Sequence, residues 1–137
     1  MATFEKRDIA YYLSSKIKKN KEGRKERHYH ILCAQFTDRS GYVWLQIIGT
    51  SKEIENNNEN VIVIEPSMCN AFTKRTRFNC DYVYAIQEEE LQGASIRGRV
   101  PENVFETLKQ AIGRSNKVKP IYKKRMNIVC HGHSTSR

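Results

Sequence analysis

No run of apolar residues in this chain approaches the roughly 20 that span a bilayer. The opening Met1-Ala2-Thr3-Phe4-Glu5-Lys6-Arg7-Asp8 lacks an apolar stretch and is not expected to act as a secretory signal. Four cysteines, Cys33, Cys69, Cys80 and Cys130, form no C-x-x-C pair, which predicts reduced thiols in a cytoplasmic protein, serving as small buried hydrophobes. Gly-x-Gly-x-x-Gly, Walker A and H-E-x-x-H patterns are absent, so nucleotide-cofactor and zincin chemistry have no sequence support. The stretch Cys130-His131-Gly132-His133 lacks four ligands at metal spacing, and neither a metal nor a cofactor is expected.

What is present suits one soluble domain. The 137 residues are 39% apolar and 28% charged, too apolar for a disordered chain. Lys and Arg number 24 against 15 Asp and Glu, a net charge of +9 that attracts polyanions such as RNA or an acidic partner. Strand patterns run over Asp8 to Leu13, His28 to Phe36, Tyr42 to Gly49 and Val61 to Ile64, with one or two more over Thr76 to Ile86. Ser14 to Arg27 is polar and strongly basic, a long loop held between strands. Gln87 to Leu91 suits a single helical turn. One longer helix is predicted after Arg97-Gly98-Arg99-Val100, with Pro101 at its first turn, Val104, Leu108, Ala111 and Ile112 at helical spacing, and Gly113 as its C-cap. Residues 116–137 read as a basic, weakly ordered tail. Several short strands followed by one helix, with no βαβ alternation, predict a mainly β fold: a small antiparallel barrel with a C-terminal helix.

Lys6 to Tyr12, Gly23 to Ala34, Leu45 to Ser51 and Phe78 to Ile112 are four segments that, in this order, resemble the PemK/MazF family of toxin endoribonucleases. Lys6-Arg7-Asp8-Ile9-Ala10-Tyr11-Tyr12 is similar to the family's opening R-G-D-I-Y-Y strand. Gly23 to Ala34 is similar to its G-G-x-R-P-V-L-V-I segment, and Leu45 to Ser51 to its V-A-A-I-T-S strand end. Phe78 to Ile112 is similar to its closing region, with Cys80-Asp81 leading to Gly98-Arg99-Val100 and a helix. The resemblance covers roughly residues 6–113. It implies an SH3-like barrel over 1–115, a homodimer, and a metal-independent nuclease that cleaves single-stranded RNA, mostly mRNA, to 2′,3′-cyclic phosphate ends. It also implies a cognate acidic antitoxin as partner, and no membrane.

Metal-free RNA cleavage needs a base for the 2′-hydroxyl, an acid for the leaving 5′-oxygen and donors for the charged phosphorane. Arg27 matches the family's catalytic arginine, and a guanidinium grips phosphate bidentately. A three-residue shift of the alignment would put Arg24 there instead. Thr50 and Ser51 match the family's hydroxyl pair at a strand end, although Gly-Thr-Ser is also an ordinary turn. Asp81 matches the acidic member of the catalytic set, placed to act as base or to orient the arginine. His28 and His30 share one face of their strand, and His28 is suited to acid–base work beside Arg27. Lys19, Lys21 and Lys25 belong to the cationic loop, and Lys74, Arg75, Arg77 and Asn79 extend an RNA-binding surface. Trp44, Tyr42 and Phe78 are aromatic residues for base stacking or for the core. The rival readings are a non-catalytic SH3-like nucleic-acid-binding module and a barrel whose basic loop docks an acidic protein.

Overall fold

Apolar and β-branched residues alternate with polar ones through most of the first hundred positions, and the chain answers with strands. The computed structural model describes residues 3–16, 23–52 and 60–128. Its strands are β1 (Asp8–Tyr12), β2 (His28–Asp38), β3 (Gly41–Thr50), β4 (Val61–Ile64), β5 (Thr76–Asn79), β6 (Tyr84–Gln87) and β7 (Ser95–Arg99). All pairings are antiparallel, in the order β4-β5-β3-β2-β1-β7, with β6 sharing with β5 the same edge of β3. The result is a mainly β fold, one sheet curled into a half-barrel, with few helices. A 3-10 turn spans Glu88–Leu91, as the sequence predicts. Among the described residues no helix is long and apolar enough to cross a membrane.

Two irregularities bend the sheet. In β2 the register with β3 shifts at Cys33, which is the extra residue between Leu32 and Ala34. In β7 the register with β1 shifts at Arg97, next to Gly98 with φ +144°. Bulges of this kind sharpen strand twist and curl. Gly49 has a different duty. It faces Phe78 across the β3–β5 pair, and a Cβ there would lie 2.5 Å from the Phe78 ring. Only glycine lets that ring lie flat on the strand and fill the core.

One face of the sheet is sealed by helix α1 (Glu102–Arg114). Val104, Phe105, Leu108, Ala111 and Ile112 form its buried stripe and meet Ile9, Ile31, Leu45, Ile47, Ile64, Phe72 and Phe78. Fully burying each of these side chains other than Ala111 contributes about 1.5–3 kcal/mol. The opposite face carries a smaller cluster of Ala10, Tyr12, Leu32, Trp44, Ile86 and Leu91. Trp44 and Phe78 are therefore core residues, whereas Tyr42 is exposed. Cys33, Cys69 and Cys80 are buried free thiols, and burial raises Cys33 and pushes Cys80 up to about 12.

The C-terminal part departs from expectation twice. Gly113 lies inside α1, and Ser115 is the C-cap. Gly113 is small because Ile128 packs against it: a Cβ would lie 3.1 Å from the Ile128 Cγ2. Residues 116–128 are also not loose. They form a second helix, α2 (Pro120–Arg125), anchored by Val118 and Met126, both buried in the main core. Lys123 Nζ donates to the carbonyls of Gly113 and Ser115, satisfying acceptors that the end of α1 leaves open. Residues 129–137, with Cys130, lie outside the described residues.

Candidate functional site: a cross-strand row at the sheet rim

Register decides which sequence-predicted residues meet. Tyr12 pairs with His28, and Tyr29 with Gly49, so the next pair outward is His28 with Thr50. Thr50 pairs with Arg77, and Arg77 with Val63. Tyr12, His28, Thr50, Arg77 and Val63 thus form one row across five strands, on the face that α1 does not cover. Directly opposed residues hold their Cβ atoms about 4.5–5.5 Å apart. A histidine, a hydroxyl and a guanidinium stand side by side.

His28, Thr50 and Arg77 are each braced by the backbone. His28 Nδ1 lies 3.2 Å from the Gly49 carbonyl. With a proton on Nδ1 donated there, Nε2 is left as the acceptor of the ring. Thr50 Oγ1 accepts from the Lys52 N–H at 3.1 Å, which closes a turn and leaves the hydroxyl proton as a donor. Arg77 Nη1 lies 3.4 Å from the Ser51 carbonyl and 3.5 Å from that of Lys52, so the guanidinium supports the same turn. Glu26 and Lys52 pair at 2.9 Å, tying the segment that enters β2 to the segment that leaves β3.

That tie sets the place of Arg27. It is exposed, one residue before His28, and makes no hydrogen bond or ion pair among the described residues. Strand alternation assigns it to the side of Tyr29, opposite His28. It flanks the row at the rim rather than joining it. Arg24 and Lys25 are exposed in the same lead-in, and Ser51 is exposed after Thr50. Lys19 and Lys21 lie outside the described residues. Lys74 and Arg75 precede β5 at the same rim; Arg75 Nε donates to Glu65 Oε2 at 2.7 Å, while Lys74 is exposed.

Two expected members stand apart. Asn79 faces Val61, and its Oδ1 accepts from the Asp81 N–H at 3.0 Å, capping the turn after β5. Asp81 itself lies four residues beyond Arg77, past the far end of β5 from Thr50. Its carboxylate is held by the Ser115 hydroxyl, by Asn60 Nδ2 at 2.9 Å and by Lys117 Nζ at 3.9 Å, which together keep it below the usual carboxylate range. Asn60 also donates to the Ala111 carbonyl at 3.0 Å. Asp81 therefore fastens the end of α1 to the sheet, and it is not brought to Arg27, His28 or Thr50.

Beneath the row lies a polar cluster that the sequence pattern did not disclose. His30 is fully buried; its Nδ1 lies 3.3 Å from the Ala10 carbonyl and its ring 4.3 Å from that of Tyr12. Burial lowers its pKa to about 4. The Tyr12 hydroxyl donates to Gln46 Oε1 at 2.8 Å, and burial raises that hydroxyl to about 12. His30 Nε2 and Gln46 Nε2 have no partner among the described residues. Only the strand alternation of His28 and His30 hinted at this arrangement.

Among the described residues there is no cluster of three or more His, Cys, Asp or Glu that could hold a metal ion. No protein-family model matches the chain, and no curated protein matches it.

Proposed function

We propose that this protein is an endoribonuclease of the PemK/MazF kind, built on an SH3-like barrel, which cuts single-stranded RNA without a divalent ion. The observation that carries the reading is the row of His28, Thr50 and Arg77, with Arg27 at its flank. His28 Nε2 takes the proton of a 2′-hydroxyl. The freed oxygen attacks the adjacent phosphorus, and the bond to the 5′-oxygen breaks. That oxygen takes a proton from water, and the hydroxide so formed takes the proton back from the His28 imidazolium, leaving a 2′,3′-cyclic phosphate and a 5′-hydroxyl. The Thr50 hydroxyl donates to a non-bridging oxygen, and the guanidinium charges of Arg77 and Arg27 offset the charge that builds on phosphorus.

A further support is the backbone at Arg7. Its φ is +79°, the left-handed region that glycine favours, and glycine occupies this place in the family's opening motif. In this reading the protein is a dimeric toxin, and an acidic antitoxin peptide covers the basic rim.

The test is purified protein with a defined RNA in EDTA, with the ends mapped by sequencing. Discrete cuts with cyclic-phosphate ends are expected. His28→Ala should lower the cleavage rate by about 10²–10⁴-fold, the usual worth of one general base. RNA left uncut at stoichiometric protein overturns the reading.

A further inference from the structure

The surplus of positive charge is not where the rim would put it. All fifteen acidic residues and sixteen of the basic ones precede position 107, so that part of the chain carries a net charge of only +1. Residues 107–137 hold the other eight basic residues and no acid. Seven of those eight, Lys109 to Arg125, lie in the folded end of α1, the turn after it and α2.

This surface has a pattern. Lys117 Nζ stands 5.8 Å from the centre of the Tyr82 ring, Lys119 Nζ 5.3 Å from Tyr122, and Arg125 Cζ 4.5 Å from Phe36. Tyr82 is 48% exposed. Cations interleaved with aromatic rings are the makeup of surfaces that track a single strand: the cations meet phosphates and an open ring takes a base. The Arg125 end of the patch is also remote from the row. Phe36 lies eight residues along β2 from His28, up to about 26 Å of strand.

We propose that the end of α1 together with α2 forms a second binding surface, for the backbone of single-stranded RNA, separate from the row at the rim. A bilayer fits it less well. The six residues of α2 include one exposed aliphatic side chain, Ile121, about half open, and no apolar face to sink into lipid. The surface holds RNA by phosphate charge and lets a strand lie across the body while another part of it reaches the rim.

The probe is a 2′-O-methyl RNA 20-mer, which lacks the attacking hydroxyl and cannot be cut whatever the rim does. Binding by the full chain is followed by anisotropy over a range of KCl concentrations. Lys117→Gln, Lys119→Gln and Lys124→Gln are combined; none belongs to the row. The triple variant should weaken binding about tenfold near physiological salt, and the slope of log K against log salt should fall by about 2, near 0.7 for each phosphate no longer neutralised. Unchanged affinity and slope in a variant with the wild-type melting curve overturn the proposal. So does binding to phosphatidylglycerol vesicles that the triple variant loses while RNA binding stays. If the variant does not fold, photo-crosslinking of 4-thiouridine RNA to the wild-type chain decides. Crosslinks in residues 114–125 or at Tyr82 are expected, and crosslinks confined to residues 24–28 and 50–52 overturn it.

Discussion

The two faces of the curled sheet solve different problems with the same strands. Under α1, the inward residues of β1, β2, β3 and β5 are Ile9, Ile31, Leu45, Ile47 and Phe78, all apolar and all closed off. On the other face the same strands offer Tyr12, His28, His30, Gln46, Thr50 and Arg77. Helix α1 does not reach that face, where the short 3-10 turn packs Leu91 beside Trp44. That face keeps polar groups half-open at the rim and fully buried behind it. The sealed face holds the larger apolar core, and the rim of the open one is free to carry chemistry because its polar groups are only half-buried there.

The largest test of that division lies on the sealed face. Leu108 is fully buried in the middle of the α1 stripe. Leu108→Ala should cost about 2–5 kcal/mol, read from denaturant unfolding, because the packed neighbours cannot close the hole. His28→Ala, on the open face, removes one half-exposed ring and one hydrogen bond to a carbonyl, and should cost about 1 kcal/mol or less. If the two variants lose equal stability, the division fails.

Acid should attack the open face next. His30 titrates near 6.5 in the unfolded chain and near 4 in the folded one, because burial, with its ring against that of Tyr12, disfavours the imidazolium. The unfolded state therefore binds more protons between those values, and stability rises with pH across them. The contribution is complete above about pH 6.5 and is lost as pH falls toward 4, to a total of about 3 kcal/mol. Carboxylates such as Asp81 add to acid sensitivity with the same sign, so the comparison of wild type with His30→Gln isolates the histidine. The variant should show a flatter stability profile between pH 6.5 and 4. Parallel profiles would mean that His30 is not the buried group being charged.

The legibility of the two faces differs as well. β2 and β3 follow from their β-branched and aromatic residues, β4 from a short apolar run between loops, and α1 from apolar residues at helical spacing. β7 escapes, because Ser-Ile-Arg-Gly-Arg is exposed at every position and shows no alternation. α2 escapes for a similar reason: its anchors, Val118 and Met126, lie outside its six residues. Within the site, His28, Thr50 and Arg77 could each be singled out as residue types. Their adjacency could not, because it depends on where three strands pair. Asp81 failed for want of the same information. A Cys-Asp pair after a strand looks the same whether the carboxylate turns to the rim or to the end of α1, and the partners that decide it, Asn60, Ser115 and Lys117, come from distant parts of the chain.

The finest division runs within the open face itself, between the row and the cluster beneath it. Tyr12 belongs to both: it ends the row beside His28, and its hydroxyl donates to Gln46 Oε1. Tyr12→Phe keeps the ring against His30 and removes only that hydroxyl. The buried Gln46 oxygen then lacks its donor, at a cost of about 1–2 kcal/mol in unfolding free energy. Its amide already has an Nε2 without a partner among the described residues, so the side chain would be left with no hydrogen bond shown for it. Gln46→Leu in the Tyr12→Phe background should recover most of that loss, because an apolar side chain of similar length leaves no polar atom unpaired. Cleavage of RNA should change little in either variant if the hydroxyl serves only the buried cluster. A loss of cleavage in Tyr12→Phe that Gln46→Leu fails to restore, with stability restored, would instead make the Tyr12 hydroxyl part of the row's chemistry and join the two layers of the open face into one site.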